Sequence, residues 1–348
     1  MNPSVRILVI RRRYLGDIVL LGSVLRNLRL HWPQAHVTVL TEAAFAGVLG
    51  LNPDINGALT FPRKLGEWFG FIRALRRARF THVLDFDNTD KTALVTRLTS
   101  SPVRATFNRE LIPFRYPRVY THQANVTNAF YDSHHITDTY LALPAAIGVP
   151  IVSREVKLVP HREDLSDARR LVYPGGRKVL IHPGSRSTHR VWPADRFAAV
   201  SDRLQDELGA QVFVTAGPRE KSLAEAIRGR AVSHIVTAYE TKTVGGLAAL
   251  LAQFDLFICH DSGPMHIAAA VNTPVVALFG SQNATIWRPL GDHHSVLQTP
   301  LPCACIGADA PMPCVREDSY RSYCVRMLST DEVFDAAASR LQASSERD

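Results

Sequence analysis

The chain has 348 residues, of which 46% are hydrophobic and 21% are charged. This composition is typical of a globular protein and excludes a disordered or fibrous chain. The length exceeds that of one ordinary core, so two α/β domains are predicted. The sequence contains no apolar run of the roughly 18 to 20 residues that span a membrane, and its start lacks the pattern of a signal peptide. We therefore expect a cytoplasmic protein.

Positive charge is concentrated in the first part of the sequence. Residues 1–150 contain 18 Lys and Arg and 10 Asp and Glu, whereas the remaining residues contain 22 of each sign, so the whole net charge of +8 lies in the first part. Such a domain attracts anionic macromolecules and membrane surfaces. We expect an anionic membrane surface as a peripheral partner and no nucleic acid; the alternative is an ordinary solvated arginine surface.

Short apolar strands and amphipathic helices alternate along the chain. Strands are predicted at 5–10, 37–40, 81–86, 178–181, 211–216, 256–259 and 274–279, and helices at 18–30, 65–79, 194–208, 221–228 and 265–271. Strands separated by helices indicate parallel sheets covered on both faces, with ligands at the carboxyl ends of the strands. We predict two Rossmann-like doubly wound α/β domains, at 1–160 and 161–328, and a C-terminal helix and tail at 329–348.

The strongest chemical motif follows the predicted strand 256–259. It reads Asp-Ser-Gly-Pro-Met-His from 261 to 266 and leads into a helix of small residues. The start of a helix offers unpaired backbone N–H groups and a positive helix end to an anion. The motif therefore predicts a diphosphate site, with Asp261, Ser262, Gly263 and His266 as its candidate residues. The alternative is a capped helix in which Asp261 serves only the fold.

The loop after the predicted strand 178–181 is rich in hydroxyl and guanidinium groups. It reads His-Pro-Gly-Ser-Arg-Ser-Thr-His-Arg-Val-Trp-Pro from 182 to 193. Ser185 and Thr188 can donate to phosphate oxygens, and Arg190 can neutralise the charge on a departing nucleotide. Trp192 more often packs against the protein and fixes such a loop. A basic surface loop without a ligand is the alternative.

The turn after the first predicted strand carries a carboxylate. Asp17 follows Gly16 at the start of a predicted helix. A carboxylate that faces a cleft can act as a general base when the proton donor is within hydrogen-bond distance. Its alternative role is a charge that stabilises the helix N-terminus by about 0.3 to 1 kcal/mol. The spacing alone leaves both roles open.

These motifs together resemble glycosyltransferase family 9, which includes the ADP-heptose:lipopolysaccharide heptosyltransferases. The match rests on Gly16-Asp17, on 182–185 with Trp192-Pro193, and on 261–266, in that order along nearly the full chain. The resemblance implies a GT-B fold in which two lobes face a central cleft. It also implies that the first lobe holds the lipopolysaccharide core acceptor and that the second holds the nucleotide sugar ADP-heptose.

The resemblance assigns roles to individual residues. It implies that Asp17 is the general base and that Arg190 takes the place of a basic residue that is more often lysine. Glu220, after Gly217-Pro218-Arg219, is similar to the acidic residue near the nucleoside. His260 stands where the family frequently has asparagine. We expect an inverting heptosyltransferase in which Asp17 must be accessible from the cleft.

No cofactor is expected for this reaction. Arg190 and the helix start at Ser262 and Gly263 can stabilise the leaving diphosphate without a metal ion. Asp85-Phe86-Asp87 is an Asp-x-Asp sequence, but it follows a strand of the first domain, away from the predicted donor. We expect it to have a structural or acceptor-facing role.

A basic segment with interleaved aromatic residues is the candidate acceptor or membrane contact. Its aromatic residues include Trp68 and Phe69. A helix that is packed on the core and has a charged outer face is an equally good interpretation. The candidate acceptor-binding residues are Arg63, Lys64, Arg73, Arg76 and Arg77.

Four cysteines are clustered late in the sequence. They are Cys303, Cys305, Cys314 and Cys324. Four thiols can bind zinc or iron, but a Cys-x-Cys pair with long, unequal gaps is not a common finger spacing. We therefore regard a structural metal there as the less favoured alternative.

Two other functions fit parts of the pattern. One is another GT-B glycosyltransferase or an epimerase that uses a different nucleotide sugar, because diphosphate sites at helix starts are shared among such folds. The other is a noncatalytic protein that binds anionic lipid through its basic part. Neutralising Asp17 separates the second alternative from an enzyme, because it leaves such binding intact.

Overall fold

The computed structural model describes residues 5–112, 114–172, 175–185, 190–217, 220–232, 237–239, 241–280, 282–298 and 325–345. They belong to two compact units, Met1–Val159 (unit 1) and Pro160–Asp348 (unit 2).

A parallel sheet forms the centre of unit 1. Its strands are β1 (Arg6–Ile10), β2 (His36–Thr41), β3 (Gly57–Thr60), β4 (His82–Asp85), β5 (Val103–Arg109) and β6 (His122–Val126). They are arranged in the order β3-β2-β1-β4-β5-β6. In the central strand β1, Ile7 pairs with Val37 on one side and with His82 on the other. Ile7 through Ile10 are fully buried, because a central parallel strand is covered on both faces.

The helices of unit 1 connect these strands. They are α1 (Leu15–Leu20), α2 (Gly22–His31), α3 (Glu67–Ala78), α4 (Asp90–Leu98), α5 (Asn128–Ser133) and α6 (Ile136–Ala145), with a 3₁₀ segment at Ala43–Leu51. The single helix predicted at 18–30 is two helices that meet at Leu21. Leu21, between them, keeps helical dihedral angles, so the break between α1 and α2 is local and both helices belong to the connection from β1 to β2.

Unit 2 repeats the same arrangement. Its strands are β7 (Lys178–His182), β8 (Gln211–Thr215), β9 (Thr237–Tyr239), β10 (Leu256–His260), β11 (Val275–Leu278) and β12 (Ser295–Leu297). They form a parallel sheet in the order β12-β11-β10-β7-β8-β9. When the strands are numbered within each unit, both sheets have the order 3-2-1-4-5-6, which is that of a Rossmann fold. The predicted fold class is thus confirmed.

The helices of unit 2 pack on both sides of its sheet. They are α7 (Arg162–Leu171), α8 (Ala194–Leu208), α9 (Lys221–Arg228), α10 (Val244–Leu251), α11 (Gly263–Ala270), α12 (Ala284–Trp287) and α13 (Thr330–Ser345), with a 3₁₀ turn at Val325–Met327. Helix α8 ends at Gly209, whose φ of 61° is readily adopted by glycine. Helix α13, predicted as a separate C-terminal element, places Val333, Ala337 and Leu341 in the core of unit 2.

Candidate functional site

In each unit the motifs that carry Asp17, Arg190 and Asp261 follow strands at the point where the strand order reverses. In unit 1 this point is between β1 and β4, and in unit 2 it is between β7 and β10. Connections leave these neighbouring strands toward opposite faces of the sheet, so their carboxyl ends leave a crevice that binds ligands in open α/β folds. Asp17 follows β1, and the motifs at 182–193 and 261–266 follow β7 and β10. The topology therefore explains why, within each unit, segments distant in sequence are brought together.

A buried histidine joins the two motifs of unit 2. The His260 Nε2 atom accepts a hydrogen bond from the backbone N–H of Trp192 at 2.8 Å. Its Nδ1 atom lies 3.3 Å from the carbonyl oxygen of Gly184, so Nδ1 carries the proton and donates. Burial lowers the pKa of His260 to about 3, which keeps the ring neutral. His260 therefore connects both ends of the loop after β7 to the end of β10.

Arg190 is held beside the second motif. Its guanidinium group lies 3.1 Å from the carboxylate of Asp261, and both side chains are largely buried. An arginine can donate five hydrogen bonds, so this ion pair orients Arg190 without using all of its donors. The loop after β7 is also held in place by Trp192, which is fully buried and donates from its ring N–H to the Leu328 carbonyl at 3.0 Å. This packing role for Trp192 is the one expected from the sequence.

Two serine hydroxyls are buried at this edge. The Oγ atoms of Ser185 and Ser262 have no hydrogen-bond partner among the described residues. Ser262 is the N-cap of α11 but makes no capping bond with its side chain, and Gly263 begins the helix. A buried hydroxyl without a partner costs free energy unless a ligand or water satisfies it. His266 lies buried within α11, and Thr188 lies outside the described residues.

Glu220 is the N-cap of α9, in the connection that follows the neighbouring strand β8. Its carboxylate accepts from the backbone N–H of Gly217 at 3.0 Å and lies 3.1 Å from Nε2 of His182. The hydrogen bond with His182 lowers the pKa of Glu220 and outweighs the opposing effect of burial. A Cβ atom at Gly184 would overlap the Glu220 carboxylate, so glycine is required for this close approach. His182 and Gly184 thereby connect Glu220 to the loop that carries Ser185.

Asp17 is the third residue of α1, and only 7% of its surface is exposed. Its Oδ1 atom accepts a hydrogen bond from the Tyr140 hydroxyl at 2.6 Å and another from Arg11. Its Oδ2 atom accepts from the backbone N–H of Tyr14 at 3.0 Å, which is the helix-capping role. A carboxylate has about four acceptor positions, so the described contacts leave one, on Oδ2. Asp17 is more enclosed by its own unit than the sequence predicted.

Arg11 links Asp17 to a second carboxylate. Its guanidinium group pairs with Asp17 and also lies 3.2 Å from Asp87. Burial alone would lower the pKa of Arg11, but the interactions with Tyr140, Asp17 and Asp87 outweigh it and raise that pKa. Burial, together with the charge of Asp85, raises the pKa of Asp87 to about 6, against the effect of Arg11. Arg11, Tyr140 and Asp87 were not among the site residues predicted from the sequence.

The Asp-x-Asp sequence at 85–87 has two different roles. Asp85 is fully buried and accepts hydrogen bonds from the Tyr120 hydroxyl at 2.6 Å and from the backbone N–H groups of Asp87 and Asn88. It therefore stabilises the turn after β4. Asp87 points to Arg11 and also accepts from the backbone N–H of Arg12 at 2.7 Å. The adjacency of β1 and β4 was the signal that could have predicted this contact.

The five predicted acceptor-binding residues do not form one cluster. Arg63 and Lys64 precede α3 at the carboxyl edge of the unit 1 sheet, whereas Arg73, Arg76 and Arg77 lie along the helix toward its end. Helix α3 has 12 residues and is about 18 Å long. Its last residue, Ala78, accepts a hydrogen bond from Arg6 at the start of β1, so the helix ends at the opposite edge of the sheet. Only Arg63 and Lys64 lie at the edge that carries Asp17.

The described part of the chain contains neither a candidate metal cluster nor a helix that could cross a membrane. Within that part, no three His, Cys, Asp or Glu side chains come together as a candidate metal site. None of its helices has the length and apolar character needed to cross a bilayer. Cys303, Cys305, Cys314 and Cys324 lie outside the described residues, so the structure does not test the metal alternative for them.

Known proteins are similar to this chain in sequence and in fold. Residues 68–315 match the model of glycosyltransferase family 9 (heptosyltransferase). Lipopolysaccharide heptosyltransferase 3 of Escherichia coli K12 is 30% identical over 301 residues, which cover 80% of this chain and 83% of that protein. A family 9 glycosyl transferase from Veillonella parvula has a similar structure, with a TM-score of 0.80 at 22% identity over 99% of both chains. The E. coli ADP-heptose heptosyltransferase II gives 0.79 at 21% identity, over 98% of this chain and 99% of that one.

The two doubly wound units and these structural matches define the GT-B class of glycosyltransferase folds. Within that class, the chain belongs to glycosyltransferase family 9, the heptosyltransferase family. The resemblance stated from the three motifs is confirmed.

Proposed function

We propose that this protein transfers heptose from ADP-heptose to the inner core of lipopolysaccharide, with inversion at the anomeric carbon and without a metal ion. The observation that carries the proposal is the edge of unit 2 at β7 and β10. There the hydroxyls of Ser185 and Ser262, which have no partner in the described part of the chain, follow strand ends beside the Arg190–Asp261 ion pair. Hydroxyl donors, a guanidinium group and the N–H groups of a helix start are the groups that bind a diphosphate.

In the proposed reaction, Asp17 removes the proton from an acceptor hydroxyl as that oxygen attacks the anomeric carbon. The C–O bond to ADP breaks, and the electron pair leaves with the diphosphate. Arg190 and the start of α11 stabilise the negative charge that develops there. The remaining acceptor position on Asp17 Oδ2 receives the proton, while Tyr140 and Arg11 hold the other oxygen in place. Glu220, beside Gly217 and His182, is the candidate partner of the nucleoside.

Replacing Asp17 by Asn tests the base assignment. A positioned general base contributes about 10² to 10⁴ in rate, so kcat should fall by that factor while the protein stays folded. Asp87→Asn is the matched control, because Asp87 is the other carboxylate on Arg11. We expect it to reduce kcat much less. The opposite ranking of the two variants would assign the proton transfer to Asp87.

The donor and the stereochemistry need separate measurements. A nucleotide sugar that binds the native state raises the thermal unfolding temperature, so ADP-heptose should stabilise the protein and UDP-sugars should not. The reverse result would favour another GT-B transferase or an epimerase. NMR of the product should show an inverted anomeric configuration. Transfer should continue in the presence of a chelator, and loss of activity there would contradict a metal-independent reaction.

The proposal includes a cytoplasmic location with peripheral contact at the inner membrane, because the acceptor is lipid-linked. Unit 1 carries the positive charge that an anionic membrane surface attracts. Arg63 and Lys64 are the acceptor-binding candidates at the edge that carries Asp17. The proposal assigns no acceptor contact to Arg73, Arg76 or Arg77, which lie toward the other end of α3.

A further inference from the structure

Large apolar side chains are exposed on two segments of unit 1. Leu65 and Phe69, around the start of α3, are 92% and 78% exposed, and Leu111 and Ile112, after β5, are 74% and 47% exposed. Single exposed apolar residues are common and need no explanation. Apolar residues grouped on one part of a surface are informative, because they mark sites of contact with proteins or membranes.

Both segments lie beside the start of α4. The Lys91 ammonium group lies 4.6 Å from the ring centre of Phe61 and 5.7 Å from that of Trp68, next to the α3 segment. The adjacent residue, Asp90, accepts hydrogen bonds from Tyr116 at 2.8 Å and from Arg115 at 3.2 Å, in the segment after β5. Both segments therefore flank two consecutive residues of one helix and form a common surface.

This surface is basic as well as apolar. Its exposed cations are Arg63, Lys64, Arg115 and Arg118. The nearby acids are already bound by the chain: Glu67 accepts from the backbone N–H groups of Arg63 and Lys64, Asp90 pairs with Arg115, and Glu110 accepts from the N–H of Asn128. Counted with Lys91, five cations outnumber the three acids Glu67, Asp90 and Glu110, so the surface carries a net charge of +2 around protruding apolar side chains.

We propose that two segments of unit 1, 63–69 and the described residues 111–112 and 114–118, form a docking surface that inserts Leu65, Phe69 and Leu111 into the interfacial region of an anionic membrane. This inference rests on the proposed function, because it supplies the route by which a lipid-linked acceptor reaches the protein. Helix α4 follows β4, so the docking surface lies at the same sheet edge as Asp17 and Asp87. Lipid headgroups attract its cations, and the acyl boundary accepts its apolar side chains.

A second copy of the chain fits this surface less well than an anionic membrane does. A symmetric dimer through this surface would bring Arg63, Lys64 and Arg115 against the same cations of the other copy, and like charges across an interface are repulsive. An anionic lipid surface has the complementary charge. Self-association therefore serves as the competing outcome in the experiment.

The test is vesicle co-sedimentation of the full chain and of the variant Leu65→Ser/Phe69→Ser/Leu111→Ser. Vesicles contain phosphatidylcholine with or without phosphatidylglycerol, at low and high salt. We expect the parent protein to bind only the anionic vesicles and the triple variant to bind them about tenfold or more weakly. Val232→Ser is the matched control, because Val232 is 89% exposed in unit 2, and it should bind like the parent.

Several outcomes would overturn the inference. They are absence of parent binding to anionic vesicles, equal binding by the triple variant, and a parent dimer that the three substitutions dissociate in sedimentation equilibrium. Failure of the proposed function is distinguished by a second assay, heptose transfer to a delipidated, water-soluble core oligosaccharide. The triple variant should transfer to this acceptor at the parent rate. Vesicle binding by a parent that cannot transfer heptose would support the docking surface and contradict the proposed function.

Discussion

The His260 connection in unit 2 gives a quantitative prediction for the variant His260→Asn. At neutral pH, His260 accepts from the Trp192 N–H and donates to the Gly184 carbonyl. Asparagine is shorter than histidine and can satisfy only one of these buried groups. Leaving one buried polar group without a partner costs about 1 to 3 kcal/mol, so we expect the free energy of unfolding to fall by that amount at pH 7.

The difference in unfolding free energy between the parent and His260→Asn should depend on pH. The ordinary pKa of histidine is 6.5, whereas burial lowers that of His260 to about 3 in the folded state. Below pH 6.5 the unfolded chain takes up a proton that the folded protein does not, so stability is present above pH 6.5 and is lost as the pH falls toward 3. At about 1.4 kcal/mol per pKa unit, this loss is about 2 kcal/mol between pH 7 and pH 5. The asparagine side chain of the variant does not titrate, so the variant escapes this loss.

Urea unfolding of both proteins at pH 7 and pH 5 provides the measurement, followed by fluorescence because Trp192 lies beside His260. The difference in unfolding free energy between parent and variant should shrink by about 2 kcal/mol at the lower pH. His294, whose pKa is also lowered to about 3, is present in both proteins and cancels. A parent–variant difference that stays constant over this pH range would refute a buried neutral His260.

Two further variants test the contacts at the proposed base and donor sites. Tyr140→Phe removes the hydroxyl that donates to Asp17 but keeps the ring packed against Phe86. A hydrogen bond to a charged group contributes about 1.5 kcal/mol or more, so kcat should fall about tenfold while KM for ADP-heptose stays unchanged. An unchanged kcat would remove Tyr140 from the positioning of the base. Gly184→Ala should weaken donor binding about tenfold or more, because the new methyl group displaces the Glu220 carboxylate. Gly47→Ala is the control, because a Cβ atom there meets no atom within 4 Å, and it should leave donor binding unchanged. Equal donor affinities of the two variants in calorimetry would contradict the role of Gly184.

The fold was predictable where hydrophobic strands are central. Strands β1, β4, β7 and β10 are apolar over most of their length, and their predicted bounds differ from the observed ones by at most one residue at either end. The missed strands lie nearer the sheet edges. β6 reads His-Gln-Ala-Asn-Val and β12 has only three residues, so neither has the continuous apolar pattern of a strand covered on both faces.

The sequence predicted which segments carry the site residues but not most of the contacts among their side chains. Sequence patterns identified the segments of Asp17, Ser185 and Asp261, because these follow recognisable strands. They did not identify Tyr140, which lies 123 positions from Asp17 along the chain, or Arg11, which resembled one more member of a basic run. Long-range partners of this kind depend on how helices pack over the sheet, and local pattern does not encode that. The five basic residues predicted around α3 do not form one cluster for a related reason. A helix of 12 residues separates side chains at its two ends although they are close in sequence.

The position of α13 in the core of unit 2 affects the order in which the protein folds during synthesis. The sheet and helices of unit 1 are complete in the first 159 residues. The core of unit 2 includes Val333, Ala337 and Leu341, so it stays open until translation has passed Leu341. At the usual 5 to 20 residues per second, that interval is about 10 to 40 s. Unit 1, which carries Asp17 and the proposed docking surface, thus emerges from the ribosome well before unit 2 is complete, and the proposed membrane contact does not require a folded unit 2.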